Sequence, residues 1–354
     1  MAVIDLPALV SLSLLPLRLK RLVGEQLRAG TPPATIFEQF LGQSRDQRDS
    51  PHKVEERCAR ALRIAEHAGL TPVAWGDCRY PPALAAIFDP PPVLWIRGDA
   101  RALHAQAVAI VGSRAASPYA LAVAERLAAD LAARGIVVVS GLARGVDSAA
   151  HRGALGAATG THDATVAVLG SGVDVVYPAE HKALARDIER GGAIVSELVP
   201  RTPPRPEFFP LRNRIISGLS RAVVVIEAGE RSGSLITARC ALEQGRDVLA
   251  VPGNVLSGRN RGAHALLRDG AKIVETADDI LEELRLPLPA TRRGDDGTAS
   301  ADPLLAALPP GEECGLDVIA ARADLAPSRV LTRLFELEMR GLVGRAGGGR
   351  FVRH

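Results

Sequence analysis

The sequence predicts an α/β protein in which a doubly wound parallel sheet lies between a small helical domain and a winged-helix domain. Two observations predict the sheet. Short β-branched runs recur through the middle of the chain, and segments of helical period separate most of them. The strand candidates are residues 108–111, 136–140, 165–169, 194–196, 222–227, 248–251 and 272–274; the helical segments include residues 118–134, 179–190 and 234–244. Such alternation is typical of a parallel sheet covered by helices on both faces.

Residues 1–68 form the predicted N-terminal domain, a small helical unit of the SAM or helix-hairpin type. Its first apolar positions recur at helical spacing: Leu9, Leu12, Leu15, Leu19 and Leu22. Residues 71–101 are rich in proline, so we predict a connecting segment packed on the next domain, in which residues 93–96 pair only at a sheet edge. We assign residues 69–285 to the α/β domain.

The C-terminal part begins with residues 286–302, whose Pro, Gly, Ser, Thr and charged residues indicate a flexible linker. Residues 303–354 form the last predicted domain. Three helical segments, residues 304–308, 316–322 and 327–340, precede a strand-turn-strand pattern. This order predicts a winged helix-turn-helix.

The composition indicates a globular protein of the cytoplasm. Hydrophobic residues make up 47% of the 354, yet the longest apolar runs are far shorter than the roughly 20 residues that cross a bilayer. The N-terminus has no signal-peptide pattern, and we interpret it as mature protein. The cysteines, Cys58, Cys78, Cys240 and Cys314, are too scattered for a zinc ribbon or a disulfide framework, which fits a reduced cytoplasmic setting.

Glycine-rich loops follow the predicted strands where a parallel sheet binds its ligands. They are Gly112-Ser113-Arg114, the segment "SGLARGVD" that begins at Ser140 and Gly141, the segment "GSGVDVVYP", and the segment "RSGSLITA" with Gly233, Ser234 and Thr237. Glycine lets the backbone approach an anion, hydroxyls add donors, and arginine suits phosphate. The alternative is that Gly and Ser serve turn geometry and capping alone, although four such loops weaken that interpretation.

The loops do not match the usual nucleotide fingerprints. The segment "GSGVDV" lacks the third glycine of G-x-G-x-x-G, and the chain contains no G-x-x-x-x-G-K-[ST]. An ordinary NAD enzyme or P-loop ATPase is therefore not indicated, and no cofactor is expected. A net charge of +3, from 43 basic and 40 acidic residues, means that any nucleic-acid site must be a local patch.

The segment "FFPLRNRIISGLSRAVVVIEA", residues 208–228, is the most distinctive in the chain. Arg212, Asn213 and Arg214 stand at the start of an apolar helix that leads into a buried strand. Cations at a helix N-terminus oppose the macrodipole at a cost of a few tenths of a kcal/mol. Such an arrangement favours a bound anion over a merely solvated helix end.

Six segments in order carry a family resemblance: "IVGSR", "VVSGLARGVDSAAHRGAL", "AVLGSGVDVVYPAEH", the segment of residues 208–228, "RSGSLITARCALEQGRDVLAVPG" and "RGAHALLRDGAKIV". Together they resemble the core of the DNA-processing protein A (DprA/Smf) family over residues 108–274. The helical N-terminus and the winged helix also resemble additions found in many members. The likeness therefore extends over nearly the whole chain.

The resemblance implies an extended Rossmann fold that binds single-stranded DNA in a basic pocket, as a homodimer, and that protects the strand and helps load RecA recombinase during natural transformation. It assigns phosphate contacts to Arg114 and Lys182. The other implied pocket residues are Gly112, Ser113, Ser140, Gly141, Asn213, Arg214, Gly233, Ser234 and Thr237. Some relatives carry an aromatic residue where this chain has Ala185, which puts base stacking at that point in doubt.

Two other functions compete with this interpretation. Phosphoribohydrolases of the lysine-decarboxylase-like type share the architecture, but their P-G-G-x-G-T-x-x-E signature needs a glutamate where this chain has Thr237, Ala238 and Arg239. A transcription factor built on the winged helix is the other alternative. The histidines have no metal-ligand spacing, and no serine lies in a G-x-S-x-G elbow. We therefore expect neither a metal site nor catalysis.

The C-terminal residues 328–354 carry several arginines, Arg329, Arg333, Arg340, Arg345, Arg350 and Arg353, against two acids, Glu336 and Glu338. In a winged helix the third helix enters the major groove, so this imbalance suggests a possible contact with duplex DNA. Winged helices also serve as protein-interaction modules, and the arginines would then be a solvated face. Both interpretations stay open at this point.

Overall fold

A computed structural model describes residues 4–41, 50–157, 164–286, 303–339 and 342–353. The N-terminal region is helical, as α1 (Leu6–Ser13), α2 (Lys20–Arg28), α3 (Pro33–Leu41) and α4 (Pro51–His67). Four of the five leucines expected on the apolar face are buried. Leu22 is 44% exposed, because a short 3-10 turn at Leu17–Leu19 resets the helical phase before α2 begins.

The described residues of the α/β domain form a nine-stranded sheet in the order β1-β2-β6-β5-β4-β3-β7-β8-β9. Its parallel part comprises β3 (Ala107–Val111), β4 (Val137–Ser140), β5 (Thr165–Val168), β6 (Gly192–Ser196), β7 (Ala222–Val225), β8 (Asp247–Ala250) and β9 (Lys272–Ile273). These are the predicted strands. The strand order reverses beside β3, which confirms the doubly wound class.

The proline-rich segment was predicted wrongly. It adds β1 (Thr71–Ala74) and β2 (Val93–Gly98), and β2 pairs antiparallel with β1 on one side and with β6 on the other. The prolines that suggested a connection stop at Pro92, so β2 keeps all its backbone donors. Pro72 lies in β1, an outer strand, where the missing N–H is tolerated. The sheet is therefore mixed, because β2 runs antiparallel to both of its neighbours.

Helices cover both faces of the sheet. They are α5 (Pro82–Ala85), α6 (Pro118–Ala133), α7 (Val146–Ala157), α8 (Lys182–Gly191), α9 (Phe208–Gly218), α10 (Ser234–Glu243), α11 (Arg261–Arg268) and α12 (Ala277–Glu283). Strand residues alternate between the faces: Val108 and Ile110 belong to the apolar cluster of α6 and α7, whereas Ala109 and Val111 belong to that of α9 and α10. The parallel strands are buried on both sides for this reason.

The N-terminal helices share an apolar cluster with the sheet. Leu9, Leu12 and Ile36 are in one cluster with Trp95 of β2 and Ile188 of α8, and all five are almost inaccessible to solvent. Burial of this kind contributes about 25 cal/mol for each Å² of apolar surface removed from water. The helical region is therefore packed on the α/β domain.

The C-terminal region has its own core. Helices α13 (Pro303–Ala307), α14 (Leu316–Ala323) and α15 (Pro327–Met339) pack on a three-stranded sheet of β10 (Cys314–Gly315), β11 (Val343–Ala346) and β12 (Arg350–Arg353). The predicted winged-helix architecture is confirmed, with β10 as a strand that the sequence pattern did not show. Most of the predicted linker, residues 287–302, lies outside the described residues.

Candidate functional site

A cavity of about 800 Å³ opens at the carboxyl ends of β3 and β7, where the strand order reverses. Loops after β3 and β7 line it together with the starts of α9 and α10. Seven of the predicted residues line this cavity: Gly112, Ser113, Arg114, Asn213, Gly233, Ser234 and Thr237. Four others, Ser140, Gly141, Lys182 and Arg214, are not among its lining residues in the described part of the chain.

Gly112 is required at the edge of the cavity by close packing. A Cβ at this position would lie 2.6 Å from Cγ2 of Val146 and 3.1 Å from the carbonyl oxygen of Glu227. The backbone N–H of the next residue, Ser113, donates to that same carbonyl at 2.7 Å. The loop after β3 is thus held against β7, and Arg114 follows it as an exposed side chain.

Glu227 stabilises the start of α6. Its carboxylate accepts hydrogen bonds from the Ser117 hydroxyl at 2.6 Å and from the Ser117 N–H at 3.2 Å. Ser117 is the N-cap residue of α6 and also accepts from the Ala120 N–H at 3.2 Å. In the described residues, the partner of Glu227 is therefore a helix cap and not an arginine or asparagine of the cavity.

Ser140 and Gly141 have structural positions beneath the cavity. Ser140 is fully buried and donates its hydroxyl proton to the carbonyl oxygen of Ile110 at 2.7 Å. Gly141 lies directly against the guanidinium of Arg212, and any side chain there would overlap with it. Ser140 therefore exposes no group to the cavity, whereas Gly141 lines a smaller depression of about 70 Å³ that shares Arg114 and Phe209 with it.

Arg212, which was not among the predicted site residues, is a buried cation that lines the cavity. It donates to the carbonyl oxygens of Gly141 and of Val168, the latter at 2.5 Å, and lies 3.8 Å from the carboxylate of Asp147. Burial lowers the pKa of Arg212 to about 10, so it remains a cation at neutral pH. Burial raises the pKa of Asp147, and the charge of Arg212 opposes that rise.

Asp147 in turn connects this arginine to the loop backbone. Its carboxylate accepts from the N–H groups of Gly141 at 3.2 Å and Ala143 at 3.3 Å. Carbonyl oxygens and this carboxylate therefore compensate the charge of Arg212. A cation at the start of α9 opposes the helix macrodipole, and the sequence suggested that a bound anion offsets this cost. Because Arg212 already has these partners inside the protein, its position does not by itself indicate a bound anion.

Two aromatic rings that were not among the predicted site residues line the cavity. The Tyr177 and Phe209 ring centroids are 5.5 Å apart, with an interplanar angle of 40°. The guanidinium of Arg114 lies 5.2 Å from the Phe209 centroid. Tyr177 is 46% exposed. The site therefore places a cation beside aromatic surface, an arrangement suited to a phosphate and its attached base.

Ala185 has no place in such a stacking surface. It is fully buried on the inner face of α8, in the cluster shared with the N-terminal helices. The missing aromatic side chain at this position therefore says nothing about base stacking in this chain. Lys182, the first residue of α8, is exposed.

Asn213 joins the starts of two helices. Its side-chain amide donates to the carbonyl oxygen of Gly233 at 3.3 Å, just before α10. The hydroxyls of Ser232 and Ser234 lie 2.7 Å apart at the same helix start, and Thr237 follows one turn later. The positive end of the α10 dipole thus lies at the cavity wall.

Unpaired positive charge is concentrated at the rim. Arg114 and Arg231 are exposed, line the cavity and form no ion pair with any residue that the structure describes. Arg144, by contrast, is paired with Glu180 at 2.6 Å. An anionic ligand would meet the two unpaired guanidinium groups first.

Arg214 faces away from this cavity. Its Nε donates to Asp89 at 2.9 Å and its Nη2 to Glu197 at 2.9 Å, and its side chain is 8% exposed. These carboxylates satisfy its charge inside the protein. The prediction that Arg214 lines the ligand pocket does not fit this position.

Two of the described histidines near the cavity have local hydrogen-bond partners. His151 is buried 2.7 Å from the Thr165 hydroxyl, and His181 Nδ1 lies 2.9 Å from the Leu142 carbonyl oxygen. His162 lies outside the described residues. Across the described ranges no group of three His, Cys, Asp or Glu side chains is placed to hold a metal ion, and no helix is long and apolar enough to cross a membrane.

The fold and the cavity define a doubly wound α/β protein with an arginine-lined cavity at the switch point of its sheet. Residues 71–285 match the family model described as DNA recombination-mediator protein A, and residues 288–349 match the DprA winged helix domain. The chain belongs to the DNA recombination-mediator protein A family, also called DprA/Smf. The resemblance found in the sequence is confirmed.

Relatives cover most of the chain. Protein Smf of Escherichia coli (strain K12) is 42% identical over 280 residues, which are 76% of this chain and 74% of that protein. The X-ray structure of DNA processing protein A from Streptococcus pneumoniae is 35% identical, with a TM-score of 0.67, covering 81% of this chain and 99% of that one. DNA processing protein A from Helicobacter pylori is 29% identical, with a TM-score of 0.55 over 61% of this chain and 95% of its own. That structure is described as showing a single-stranded DNA binding mode.

Proposed function

We propose that the cavity binds single-stranded DNA. The observation that carries the proposal is the position of Arg114, whose guanidinium lies over the Phe209 ring, while Phe209 in turn contacts the half-exposed ring of Tyr177. A phosphate on the arginine would place its base beside these rings. Aromatic stacking of this kind needs unpaired bases and tolerates any sequence, because every base has a flat face.

The relatives support the proposal. The Helicobacter pylori protein named for its single-stranded DNA binding mode has the same fold, with a TM-score of 0.55. In this chain, Arg231 and the start of α10 also line the cavity and offer further phosphate partners. Phosphate and aromatic contacts without base-edge readout predict binding that is independent of sequence.

The family membership supports finer proposals. We propose that the chain acts as a homodimer, protects the bound strand and helps load RecA recombinase onto it during recombination or natural transformation. Recombinase loading would appear as faster RecA filament growth on strands covered by a single-strand binding protein. An unchanged rate with folded, DNA-binding protein would contradict this part of the proposal and leave strand binding standing.

A base-releasing enzyme is the competing function. It would need a carboxylate in the cavity positioned to act on the sugar. The acidic lining residue Asp147 is already bonded to two loop N–H groups and to Arg212, and Glu227 is bonded to Ser117. These contacts favour binding over hydrolysis at this site.

The test is a competition experiment on the full chain. A labelled oligothymidylate is bound, and unlabelled single strand, duplex of equal length and a nucleoside monophosphate are compared as competitors by fluorescence anisotropy. The proposal expects single strand to compete at the lowest concentration. Equal competition by duplex would refute it, and release of free base from the monophosphate would favour the enzyme.

A further inference from the structure

A second depression, the arginine groove, lies between α4 and the segment that follows β6. Its volume is about 370 Å³. Among the described residues, its charged lining consists of Arg57 and Arg60 from α4 and Arg201 and Arg205 from the segment after β6. Phe208, at the start of α9, forms part of its wall.

The positive charge of this groove is almost unbalanced. Its described lining contains no acidic side chain. Arg205 lies 4.0 Å from Glu207 with both side chains about half exposed, and within the described part of the chain Arg57, Arg60 and Arg201 form no ion pair through their side chains. Four neighbouring guanidinium groups repel one another, and a polyanion with regularly spaced charges relieves that repulsion.

Both walls of the groove are held in place. Arg57, Arg60 and Ile64 recur on one face of α4, and the adjacent face is buried through Val54 and Cys58. On the other wall, the Arg201 N–H donates to Asp174 at 2.7 Å, and Arg201 has a φ of 64°, a conformation that costs a non-glycine residue energy. The arginines thus project from fixed backbone.

The groove lies next to the main cavity. Phe208 lines the groove and its neighbour Phe209 lines the cavity, while Arg205 lines the groove and Pro206 lines the cavity. The start of α9 and the residues just before it therefore contribute to both depressions. A strand that leaves the cavity past Phe209 would therefore meet Arg205 and Phe208 next.

We propose that the arginine groove binds backbone phosphates of the same single strand that occupies the cavity, which makes the N-terminal helical region part of the DNA-binding surface. The inference rests on the proposed function of the cavity. It predicts that affinity depends on strand length. Short strands fill only the cavity, and longer strands bind more tightly because they also reach the groove.

The test compares two oligothymidylates with the full chain, one of about 5 and one of about 20 nucleotides. The double variant Arg57→Glu/Arg60→Glu should weaken binding of the longer strand about tenfold or more and reduce its salt slope by about 1.4, at about 0.7 for each lost phosphate contact. Affinity for the short strand should stay unchanged. Arg205→Glu, on the other wall, should act in the same direction.

The matched control is Arg63→Glu, an exposed arginine of α4 that does not line the groove. Circular dichroism and melting temperature verify the fold of each variant. Wild-type affinity of the double variant for the longer strand would overturn the inference, as would an equal loss for both strand lengths. If the wild-type chain binds neither strand, the proposed function itself fails, and the inference fails with it.

Discussion

The ammonium nitrogen of Lys20 lies 2.6 Å from Oε2 of Glu197, with both side chains almost completely buried. The same carboxylate oxygen accepts from Arg214 at 2.9 Å, and Arg214 also pairs with Asp89 at 2.9 Å. Lys20 belongs to α2 and Glu197 follows β6. One buried carboxylate therefore joins the N-terminal helices to the core of the α/β domain.

Glu197→Gln should strongly destabilise the fold. It leaves two buried cations with Asp89 as their remaining carboxylate, and breaking a buried pair in this way costs about 3 to 5 kcal/mol. Thermal or denaturant unfolding of the full chain measures the loss. Glu25→Gln, which removes a surface pair with Arg21, is the control and should change little. Equal stability of the two variants would show that the buried cluster contributes nothing.

Arg214→Glu should accordingly act on folding and not directly on the ligand. The variant places a third carboxylate beside Asp89 and Glu197, whose nearest cation would then be Lys20. We expect loss of soluble, folded protein and a lower melting temperature. A stable, folded Arg214→Glu protein with impaired DNA binding would contradict this reasoning and restore Arg214 to the pocket.

The positions of Arg212 and Arg214 show what the sequence could not specify. Residues two apart on a helix differ by roughly 200° in direction, so only one of the two can face the cavity edge. The pattern "LRNR" predicts a basic helix start but not its rotation, which depends on the packing of α9 against the sheet. The position of the glycine loops, by contrast, could be predicted, because each loop comes directly after a predicted strand. Two of these loops line the cavity through Gly112 and Gly233.

The strands β3 to β9 were predictable because each is an apolar run set between helical segments. β2 was not predicted as an inner strand, because the prolines before Val93 indicated an irregular segment. The strand itself contains no proline. Phe209 and Tyr177 lay inside the segments that carried the resemblance, yet their pairing depends on how the loop after β5 approaches α9. Contacts between distant segments of this kind have no local sequence signal.

Arg114→Glu should weaken binding of single-stranded DNA about tenfold or more and reduce the salt slope by about 0.7, since it removes a phosphate contact and adds repulsion. The measurement is fluorescence anisotropy over a salt series. Arg126→Glu, at an exposed position of α6 outside the cavity, is the matched control. Lys182→Glu should have a smaller effect, because Lys182 is exposed at the start of α8 and does not line the cavity. Wild-type affinity of Arg114→Glu would place the site elsewhere.

Phe209→Ala should cost about 1 to 3 kcal/mol of binding free energy for single-stranded DNA, the usual contribution of one stacked base. Stacking involves no counterion release, so the salt slope should stay near that of the wild type, unlike that of Arg114→Glu. Phe88→Ala is the control, because Phe88 is exposed but does not line the cavity. Unchanged affinity of Phe209→Ala would remove stacking from the proposed mechanism.

His151 should make the fold sensitive to mild acid. Burial, with a contribution from Arg212, lowers its pKa from 6.5 to about 3. The unfolded chain therefore takes up a proton near pH 6.5 that the folded chain refuses, and stability falls as the pH drops through this window. At pH 5 the titration of His151 lowers the free energy of unfolding by about 2 kcal/mol.

The measurement is the free energy of unfolding at pH 7 and at pH 5. His151→Asn should flatten the difference between these values, whatever its cost at pH 7, and His67→Asn at an exposed position should not. Burial alone would raise the pKa of Glu197, but Arg214 and Lys20 outweigh it and lower that pKa, so its stabilisation is lost only below about pH 4.5. A slope that persists in His151→Asn would identify another titrating group.

Deletion of residues 290–354 tests the winged helix. The sequence left duplex contact and protein interaction open, and the structure pairs much of the arginine excess internally. Arg333, Arg345 and Arg350 lie close to Glu336, Glu338 and Glu313, and Arg353 donates to the Leu305 carbonyl oxygen at 2.8 Å.

On α15, the helix that would enter a major groove, Leu331 is 52% and Phe335 57% exposed. Exposed apolar side chains suit a protein surface better than a phosphate backbone. We therefore expect the truncated chain to keep its affinity for both single-stranded and duplex DNA, measured by anisotropy. A selective loss of duplex binding would instead assign a DNA contact to this domain. In the full chain, the double variant Leu331→Ser/Phe335→Ser should leave the affinity for duplex DNA unchanged.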